Sequence, residues 1–593
     1  MRILTRHLAL LALFFGAAAC GGSSDSDPGD QLSNPVDLNS AETASVGQAP
    51  DTIEVPVPDD PVLHLERVED LTEEVADWLL EFSDKLRRRD ASAALDWLGD
   101  DFYGHGLDQL EVAALDELVL GARRTTWKTD GAPILGRGKF LASVMGHLGT
   151  WERVDNVLWK VKGAEFQKGR RPWCDAKLFL RMLGVDAGGG RVSITGWAHA
   201  RATKRGGRWW LERFRLDELY EIRREAPLFS DVSASSGVAH TWARFGTDTN
   251  RSYAWNGAAG GDIDGDGDWD LFLPSDGRNY LYLAQPDGTY REEAETRGVA
   301  QPEAGTGPVL ADFDNDGDQD LFVAHVGWRE ADGGIGGQLP QLYRNDGKGR
   351  FERAKQVPGL DAPVTGYHAL ALDYDQDGWL DLFICGYGRV EAEHNDSWIE
   401  ATNGSPNALL RNLEGKGFEN VTKAVGLADR QWSYAAAAAD ITGDGRIDLY
   451  VANDYGSNRL YSYQPDGTFL DIAGQLGIVD RGNGMGTAFG DLDGDGKLDL
   501  YVSNMSSTAG NRILGRLTDD IDPELYGALK KLAAGNTIFR AQDDGTFARV
   551  PSEAGGVNGN WAWSAALCDF DLDGKLDVFC TNGFVTGDLP HDT

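Results

Sequence analysis

An acidic segment of eleven residues occurs six times in the C-terminal half of this 593-residue chain. The copies are DIDGDGDWDLF (262 to 272), DFDNDGDQDLF (312 to 322), DYDQDGWLDLF (373 to 383), DITGDGRIDLY (440 to 450), DLDGDGKLDLY (491 to 501) and DFDLDGKLDVF (569 to 579). Their first aspartates lie 50, 61, 67, 51 and 78 residues apart. Repeats at this spacing indicate that each copy belongs to one unit of a repeat architecture.

Each repeat has the pattern of four short strands. Small residues such as AAAAA (435 to 439) precede the acidic loop, and a β-rich run such as LYVAN (449 to 453) follows it. An apolar pair, a glycine turn such as DGTF (466 to 469) and an aromatic residue complete the unit. Consecutive four-stranded units of about 50 residues predict a mainly β protein with a β-propeller. The six copies of the loop predict six blades, and the possibility of a seventh, degenerate blade stays open.

The crowded carboxylates of each loop predict a bound cation. Two carboxylates about 5 Å apart repel by roughly 3 kcal/mol at an effective dielectric near 20. No Lys or Arg lies between Gly261 and Asp276 to offset that repulsion in the first loop. Oxygen ligands suit calcium better than zinc, which prefers His and Cys. Position 12 of each loop is a strand residue and not the bidentate Glu of an EF-hand, so we do not expect that motif.

Loop positions 1, 3, 5 and 9 offer side-chain oxygens, and glycine at position 6 permits a sharp turn. Position 7 varies widely, which favours a contribution from its backbone carbonyl. The candidate ligands of up to six calcium ions are Asp262, Asp264, Asp266, Asp268 and Asp270; Asp312, Asp314, Asp316, Asp318 and Asp320; Asp373, Asp375, Asp377, Trp379 and Asp381; Asp440, Thr442, Asp444, Arg446 and Asp448; Asp491, Asp493, Asp495, Lys497 and Asp499; and Asp569, Asp571, Asp573, Lys575 and Asp577. Because Thr442 is not a carboxylate, we expect the fourth site to be the weakest.

These loops resemble the FG-GAP or VCBS repeats of integrin-type propellers and of bacterial relatives of the cartilage acidic protein family. The resemblance covers residues 228 to 593 and implies calcium on the propeller rim, with seven blades usual among integrin-type relatives. No UnbV-like C-terminal domain is recognised. The segment LFSDVSASSG (228 to 237) resembles the outer strand FENVTKAVG (418 to 426). We expect it to close the ring by pairing with the last blade.

A second feature of the repeats predicts a partner surface. Six residues occupy the start of the inner strand, six positions before each loop: Asn256, Thr306, Tyr367, Tyr434, Met485 and Trp563. An exposed, aromatic-rich ring around the axis would suit a protein or glycan ligand. We therefore expect a calcium-binding adhesion or recognition propeller in which calcium is chiefly structural. The alternative is an exported enzyme, acting for example on glycans in the propeller centre or the N-terminal domain. HExxH, GxSxG, CxxC and phosphate-loop motifs are missing from the sequence.

The first twenty residues resemble a bacterial lipoprotein signal. Arg2 and Arg6 precede an apolar run, and small residues lead to Cys20, which the lipobox pattern marks for lipidation. Ordinary signal cleavage remains an alternative. Gly21 after the cysteine resembles lipoproteins sorted to the outer membrane. Residues 21 to 60 have the composition of a disordered tether.

The charge of the chain argues against a nucleic-acid partner. It contains 94 acidic and 56 basic residues, which gives a formal net charge of -38. Such a field repels phosphate, and no basic cluster stands out against it. Cys568 and Cys580 flank the last loop, and in an oxidising compartment they could form a cross-strand disulfide.

Residues 61 to 226 predict a separate α+β domain ahead of the propeller, which covers 227 to 593. Leu71, Val75, Trp78, Leu79, Phe82 and Leu86 have helical spacing, and further helix is expected at 91 to 98 and 110 to 120. Strands are expected at 152 to 162, 174 to 183, 191 to 200 and 208 to 219. Helices followed by such a sheet weakly resemble the NTF2-like or SnoaL-like cone. Trp159, Trp197, His199 and Trp210 could line a pocket there or belong to the core. Within the propeller, residues 522 to 536 predict a helix capped by Asp522.

Overall fold

The protein is described here by a computed structural model. It describes residues 61–108, 110–167, 173–238, 257–274, 278–301, 305–325, 337–388, 395–516, 522–551 and 561–582. Cys20, the tether and Asn256 lie outside these residues. The chain divides into two compact units: Met1–Ser230 with Thr508–Arg516 and Thr586–Thr593, and Asp231–Ser507 with Leu517–Val585. Within the described ranges, no helix has the length and apolar character needed to cross a membrane.

The first unit contains an eight-stranded sheet and confirms the expected α+β fold. Its helices are Pro61–Arg87, Ala91–Leu95, Arg137–Gly149 and Thr508–Arg516, with a 3-10 turn at Val119–Gly121. Its strands are Leu98–His105, Val112–Glu117, Ala122–Trp127, Ile134–Gly136, Trp151–Gln167, Trp173–Asp186, Arg191–Arg205 and Arg208–Arg224. The last four are long antiparallel neighbours, as the sequence predicts. Register shifts interrupt their pairing at several points, which bends the strands.

The long first helix packs its apolar stripe against the sheet. All six residues at helical spacing are buried, and Phe82 meets Trp159 edge to face with 5.3 Å between ring centroids. Burying each such side chain contributes about 1.5 to 3 kcal/mol. The helix predicted from their periodicity is therefore confirmed.

The helix predicted at 110 to 120 is wrong. Val112–Glu117 is a strand that pairs with Ala122–Trp127, and its six side chains are all exposed. Val112, Leu115, Leu118 and Leu120 are exposed, and only Leu110 packs against the core, so the helical spacing of these residues brings little burial. Strand pairing provides the backbone hydrogen bonds instead.

The four residues proposed to line a pocket do not lie on one face of the sheet. Trp159 is 1% exposed and stacks on Phe214 with ring centroids 4.8 Å apart, so it belongs to the core. Trp197, His199 and Trp210 alternate with buried residues and lie on the opposite face. There His199 Nδ1 lies 2.5 Å from Asp217. The pocket hypothesis is wrong because side chains alternate between the faces of a strand.

A helix from the C-terminal half, Thr508–Arg516, belongs to this first unit. Its Arg512 donates to Glu69 of the long helix at 2.8 Å, and both side chains are only 7% exposed. Removing one partner of such a buried pair typically costs about 3 to 5 kcal/mol because the other charge stays buried. Nothing in the local sequence pattern predicted this association.

The second unit is the propeller. Blade 1 contains Ala259–Gly261, Asp270–Leu273, Tyr280–Ala284 and Tyr290–Glu292; blade 2 Gly305–Ala311, Asp320–His325, Gln341–Asn345 and Phe351–Arg353; blade 3 Gly366–Leu372, Asp381–Gly386, Ala408–Asn412 and Phe418–Asn420; blade 4 Trp432–Ala439, Asp448–Tyr455, Arg459–Tyr463 and Phe469–Asp471; blade 5 Gly484–Gly490, Asp499–Asn504, Thr537–Ala541 and Phe547–Arg549; and blade 6 Ala566–Cys568 and Asp577–Phe579. Each is an antiparallel meander in chain order. The second unit thus has six sheets within the described residues, five of four strands and one of two.

Apolar side chains between neighbouring blades form the propeller core. One cluster joins Phe272 of blade 1 to Leu321 and Tyr343 of blade 2, and similar clusters join blades 2 and 3, 3 and 4, and 4 and 5. The strands are buried on both faces, which explains their continuous apolar runs. Short helical turns follow some outer strands, at Ala294–Arg297 and Ala473–Leu476.

The segment expected to close the ring does not form a strand. Ser233–Ser236 is a helical turn that ends at Gly237, where φ is 82°. A Cβ placed on Gly237 would lie 2.6 Å from the carbonyl oxygen of Tyr290 in blade 1. A Cβ placed on Gly298 would lie similarly close, at 2.4 Å, to the corresponding carbonyl oxygen of Phe351 in blade 2. Residues 233 to 237 therefore correspond to the helical turn and glycine found at 294 to 298, ahead of blade 2. They do not form the predicted strand pairing with the last blade.

Two smaller predictions have opposite outcomes. The helix Pro523–Leu532 is confirmed, with the Asp522 carboxylate accepting from the amides of Glu524 and Leu525. Cys568 and Cys580 are free thiols, so the disulfide is absent. Cys568 lies opposite Asp577 in the ladder, which removes Cys580 from the cross-strand position.

Asp454 joins three blades through a buried carboxylate. It is 2% exposed, accepts from the Tyr387 hydroxyl of blade 3, and accepts from Asn483 Nδ2 ahead of blade 5 at 3.2 Å. Burial raises the pKa of Asp454 to about 6, although these hydrogen bonds partly oppose the shift. The folded state therefore binds this proton more tightly than the unfolded state.

We expect Asp454→Asn to stabilise the protein near neutral pH. The stabilising contribution of a carboxyl with a raised pKa is complete below pH about 4 and disappears as the pH rises through about 6. At pH 7 the gain should reach up to about 3 kcal/mol, since one pKa unit corresponds to about 1.4 kcal/mol. Chemical denaturation in calcium between pH 4 and 7 measures it. A difference from the wild type that does not grow with pH would contradict this assignment.

Candidate metal centre

All six acidic loops adopt the same turn. The glycine at position 6 has a positive φ in each copy, from 81° in Gly445 to 97° in Gly317. Position 4 is also left-handed, even where it is Asn315, Gln376 or Leu572. The larger φ values at position 6, compared with 56° to 62° at these three residues, favour glycine there, in agreement with the sharp turn expected from the sequence.

The aspartate at position 1 of each loop is fixed by backbone amides. In the first loop, the amides of Gly265 and Gly267 donate to the two oxygens of Asp262 at 2.9 and 3.1 Å. In the third, Asp373 accepts from Asp377 and Gly378 in the same way. Such charge-assisted hydrogen bonds are stronger than neutral ones and orient the carboxylate toward the inside of the turn.

The aspartate at position 9 connects the loop to the blade. Asp381 is fully buried and accepts from the amide of Tyr374 at 3.2 Å and from that of Asn412 in the third strand at 2.7 Å. Asp270 and Asp499 make the equivalent pair of hydrogen bonds. This residue therefore has a structural role that does not require an ion.

Position 7 contributes its amide to the turn. The N–H of this residue donates to the position 5 aspartate, for example from Trp379 to Asp377 at 2.9 Å and from Lys575 to Asp573 at 2.9 Å. A backbone interaction explains why Asp, Trp, Arg and Lys are all found there. The proposed coordination by its carbonyl stays a prediction.

Carboxylate oxygens converge in five of the six loops. In each group below, three oxygens lie within 4.8 Å of one another. The groups are Asp262, Asp264 and Asp270; Asp312, Asp314 and Asp316; Asp373, Asp375 and Asp381; Asp491, Asp493 and Asp499; and Asp569, Asp571 and Asp577. Asp318, Asp320, the remaining position 5 and 7 residues and the whole fourth loop lie outside these groups. The sequence-predicted ligands are thus brought together mainly at positions 1, 3 and 9.

The position 3 aspartates fit a hard cation. Oδ1 of Asp264, of Asp314 and of Asp375 is shielded from solvent and accepts no hydrogen bond from the described residues. Burial and the neighbouring aspartates raise the pKa of all three carboxyls. Burial also raises the pKa of Asp320 to about 6 and that of Asp381 to about 7. A divalent cation would satisfy the unpartnered oxygens and favour the ionised carboxylates.

Arginines near the loops were not identified from the sequence. Arg344 of the third strand contacts Asp314 at 3.1 Å and also Asp320, and Arg540 at the same strand position contacts Asp493 at 2.6 Å. Arg297 lies 4.0 Å from Asp264. For Arg344 and Arg540 the sequence signal is an arginine directly after the apolar pair of the third strand, in QLYRN and TIFRA. The protein therefore supplies part of the opposing charge in these loops.

Neighbouring loops are also joined directly. Asn315 at position 4 of the second loop donates to the carbonyl of Gly378 in the third at 3.1 Å. Gln376 of the third loop donates to Gly445 of the fourth at 2.6 Å. Asn412 of blade 3 donates to Phe313 in the second loop at 2.9 Å. The turns of blades 2, 3 and 4 thus form a continuous hydrogen-bonded series.

The ring expected to be exposed for a partner is mostly buried. Thr306, Tyr367, Tyr434 and Met485 are all at most 7% exposed, and Trp563 is half-buried. The rings of Tyr367 and Tyr434 stack with centroids 4.6 Å apart. The expectation of exposure is wrong because inner-strand residues of adjacent blades pack on one another at this end.

A polar cavity of about 440 Å³ lies at blade 4. Its lining comprises Glu400, Ser457, Asn458, Arg459, Asp471, Gly474, Gln475, Val479 and Arg481. Glu400 accepts from Gln431 at 2.9 Å, and Arg481 Nε donates to Ser457 at 3.2 Å. The cavity therefore offers both charge signs and several hydrogen-bonding groups. Nothing in the repeat pattern predicted it.

The turn geometry agrees with a comparison with protein families. Residues 262–323, 440–502 and 517–580 match the FG-GAP-like repeat. The second unit is thus a β-propeller that carries FG-GAP-like repeats, as the sequence resemblance predicts.

Individual relatives are more distant. The chain is 24% identical to cartilage acidic protein 1 of Xenopus tropicalis over 275 residues, covering 36% of this chain and 40% of the relative. The chain is 23% identical to the human protein over 354 residues, which covers 56% of this chain and 48% of the human protein. The chain thus spans less than half the length of these relatives. Among solved structures, the V. cholerae biofilm matrix protein Bap1 is 17% identical to this chain. The superposition covers 55% of this chain and 43% of Bap1, with a TM-score of 0.28. This score is too low to transfer the fold or function of Bap1.

Two substitutions in the third loop should separate structural from ion-dependent roles. Asp381→Asn loses an acceptor for a buried amide, which costs about 1 to 3 kcal/mol even in EGTA, and it should cost more in calcium because Asp381 also belongs to the converging group. Asp375→Asn should destabilise only in calcium, because its Oδ1 accepts no hydrogen bond from the described residues and its charge repels the loop. Thermal melts in calcium and in EGTA measure both. Equal responses of the two variants would refute the distinction.

Proposed function

We propose that this protein is an exported calcium-binding propeller that recognises a protein or glycan partner. The observation that supports it is the convergence of three carboxylates in five loops, three of which also contain a shielded position 3 oxygen without a hydrogen-bond donor among the described residues. Calcium takes six to eight oxygen ligands in a flexible shell, which suits such groups. Magnesium demands stricter octahedral geometry and keeps several of its waters.

In this proposal the ion has a structural role. The bound cation would offset the repulsion among the aspartates, while the position 1 and 9 carboxylates stay oriented by backbone amides. The two ends of the turn then remain together, and with them the first and second strands of the blade. The ordered surface of the propeller is what a partner would recognise.

Calcium should raise the thermal stability of the full chain. One site filled at 100 times its Kd adds about 2.7 kcal/mol. Extracellular calcium modules have Kd values of about 10⁻⁴ to 10⁻³ M, so the effect should require millimolar calcium. Melts in calcium, in magnesium and in EGTA measure it. An unchanged midpoint in calcium would remove the metal part of the proposal.

The polar cavity at blade 4 is the place we propose for ligand contact. Its opposed charges suit the hydroxyls of a glycan or the polar side chains of a peptide. Capture on glycan and protein arrays should therefore depend on Arg481 and Glu400. We expect Arg481→Ala and Glu400→Ala each to weaken capture at least ten-fold without lowering the melting temperature. Lys416→Ala, at an exposed hairpin of blade 3, is the matched control. Capture that survives both cavity substitutions would place the ligand elsewhere.

We also propose that lipidation of Cys20 anchors the protein at a membrane, with the outer membrane favoured. The support is the arginine-led apolar segment and the small residues before the cysteine. Cys20→Ala should release the protein into the soluble fraction and abolish incorporation of a palmitate analogue. Membrane association of the variant would contradict lipid anchoring.

A further inference from the structure

The fourth loop differs from the other five in two residues. Thr442 stands at position 3, where the others have aspartate, and Arg446 stands at position 7. The turn itself is unchanged, since the amides of Asp444 and Gly445 donate to Asp440 at 3.0 and 2.9 Å. The loop therefore keeps its conformation with fewer carboxylates.

Arg446 pairs its guanidinium with one acid of this loop, Asp444. Its Nη2 donates to the Asp444 carboxylate, and its Nε donates to the carbonyl of Tyr463 in the third strand at 2.9 Å. The side chain is 30% exposed, so the ion pair is partly shielded from water. One arginine thus offsets charge and joins the turn to the blade.

The fourth loop lacks the three converging carboxylates found in the others. Thr442 donates its amide to Asp448 at 2.9 Å, and its side chain brings no second charge. Oδ1 of Asp448 is buried and accepts no hydrogen bond from the described residues. A single shielded oxygen is far from the six to eight oxygens that calcium takes.

The fifth loop shows which residue makes the difference. Lys497 occupies position 7 there and also contacts its position 5 aspartate, Asp495, at 2.8 Å. Nevertheless Asp491, Asp493 and Asp499 converge. A cation at position 7 is thus compatible with three converging carboxylates. The fourth loop lacks such a group because it has no aspartate at position 3.

We infer that the guanidinium of Arg446 is a built-in replacement for the ion in the fourth loop. The inference rests on the proposed calcium binding of the other loops. The protein then takes up five calcium ions and not six. Its fourth turn keeps its structure when calcium is removed, while the turns that lack a comparable internal cation lose theirs.

Ion counting by equilibrium dialysis tests the stoichiometry. The wild type should retain five calcium ions, and Thr442→Asp with Arg446→Lys, which gives the fourth loop the fifth loop's residues at positions 3 and 7, should retain six. Thr468→Asp adds the same charge to an exposed hairpin of blade 4 and should leave five. Six ions in the wild type, or no gain in the double variant, would overturn the inference. No retained ions in any form would instead refute the proposed calcium binding.

Hydrogen exchange provides a second measurement. In EGTA the amides of residues 440 to 448 should keep the protection that they have in calcium, whereas those of 373 to 381, where position 7 is Trp379 and not a cation, should lose theirs. Arg446→Ala should lower the protection of 440 to 448 equally in calcium and in EGTA. Equal sensitivity of both loops to the chelator in the wild type would overturn the internal replacement while leaving calcium binding intact.

Discussion

At five of the six acidic turns, three aspartate carboxylates lie within a few ångströms of one another, and backbone amides orient those at positions 1 and 9. This arrangement stores electrostatic repulsion in the very place where the first two strands of a blade are joined. The position 9 carboxylate, as in Asp381, limits the consequence by binding two amides of the blade itself. The remaining repulsion must be offset by opposite charge. Arginines such as Arg344 supply part of it, and calcium is proposed to supply the rest.

The fold could be predicted from sequence where periodicity and turn residues agree. The first five acidic turns, each followed by an apolar strand and a glycine hairpin, specified the four-stranded meanders of blades 1 to 5, and the sixth specified the strand pair of blade 6. The failures came from tertiary contacts. Residues 110 to 120 have helical spacing but pair as a strand, and Thr508–Arg516 joins the first unit through Arg512 and Glu69. Neither outcome follows from a local pattern.

The candidate metal centre was predictable in its residue types and less so in its geometry. Positions 1, 3 and 9 converge as expected, whereas most position 5 residues, such as Asp266, lie outside the groups. Tyr367 and Tyr434 were expected on an open face, yet they stack on each other because inner strands of adjacent blades are close there. Distances between residues about 60 positions apart are set by blade packing, which a linear motif does not contain.

The hydrogen bonds from Asn315 to Gly378 and from Gln376 to Gly445 run in one direction around the propeller. They end at the turn that contains Arg446. Glycine at position 4 of that turn, Gly443, has no side chain with which to continue the series. The turns of blades 2, 3 and 4 would therefore respond as one cooperative element, whose last turn contains the Arg446 guanidinium in place of an ion. Ion uptake in the second and third turns would then be mutually dependent, and a titration would show fewer independent steps than there are ions.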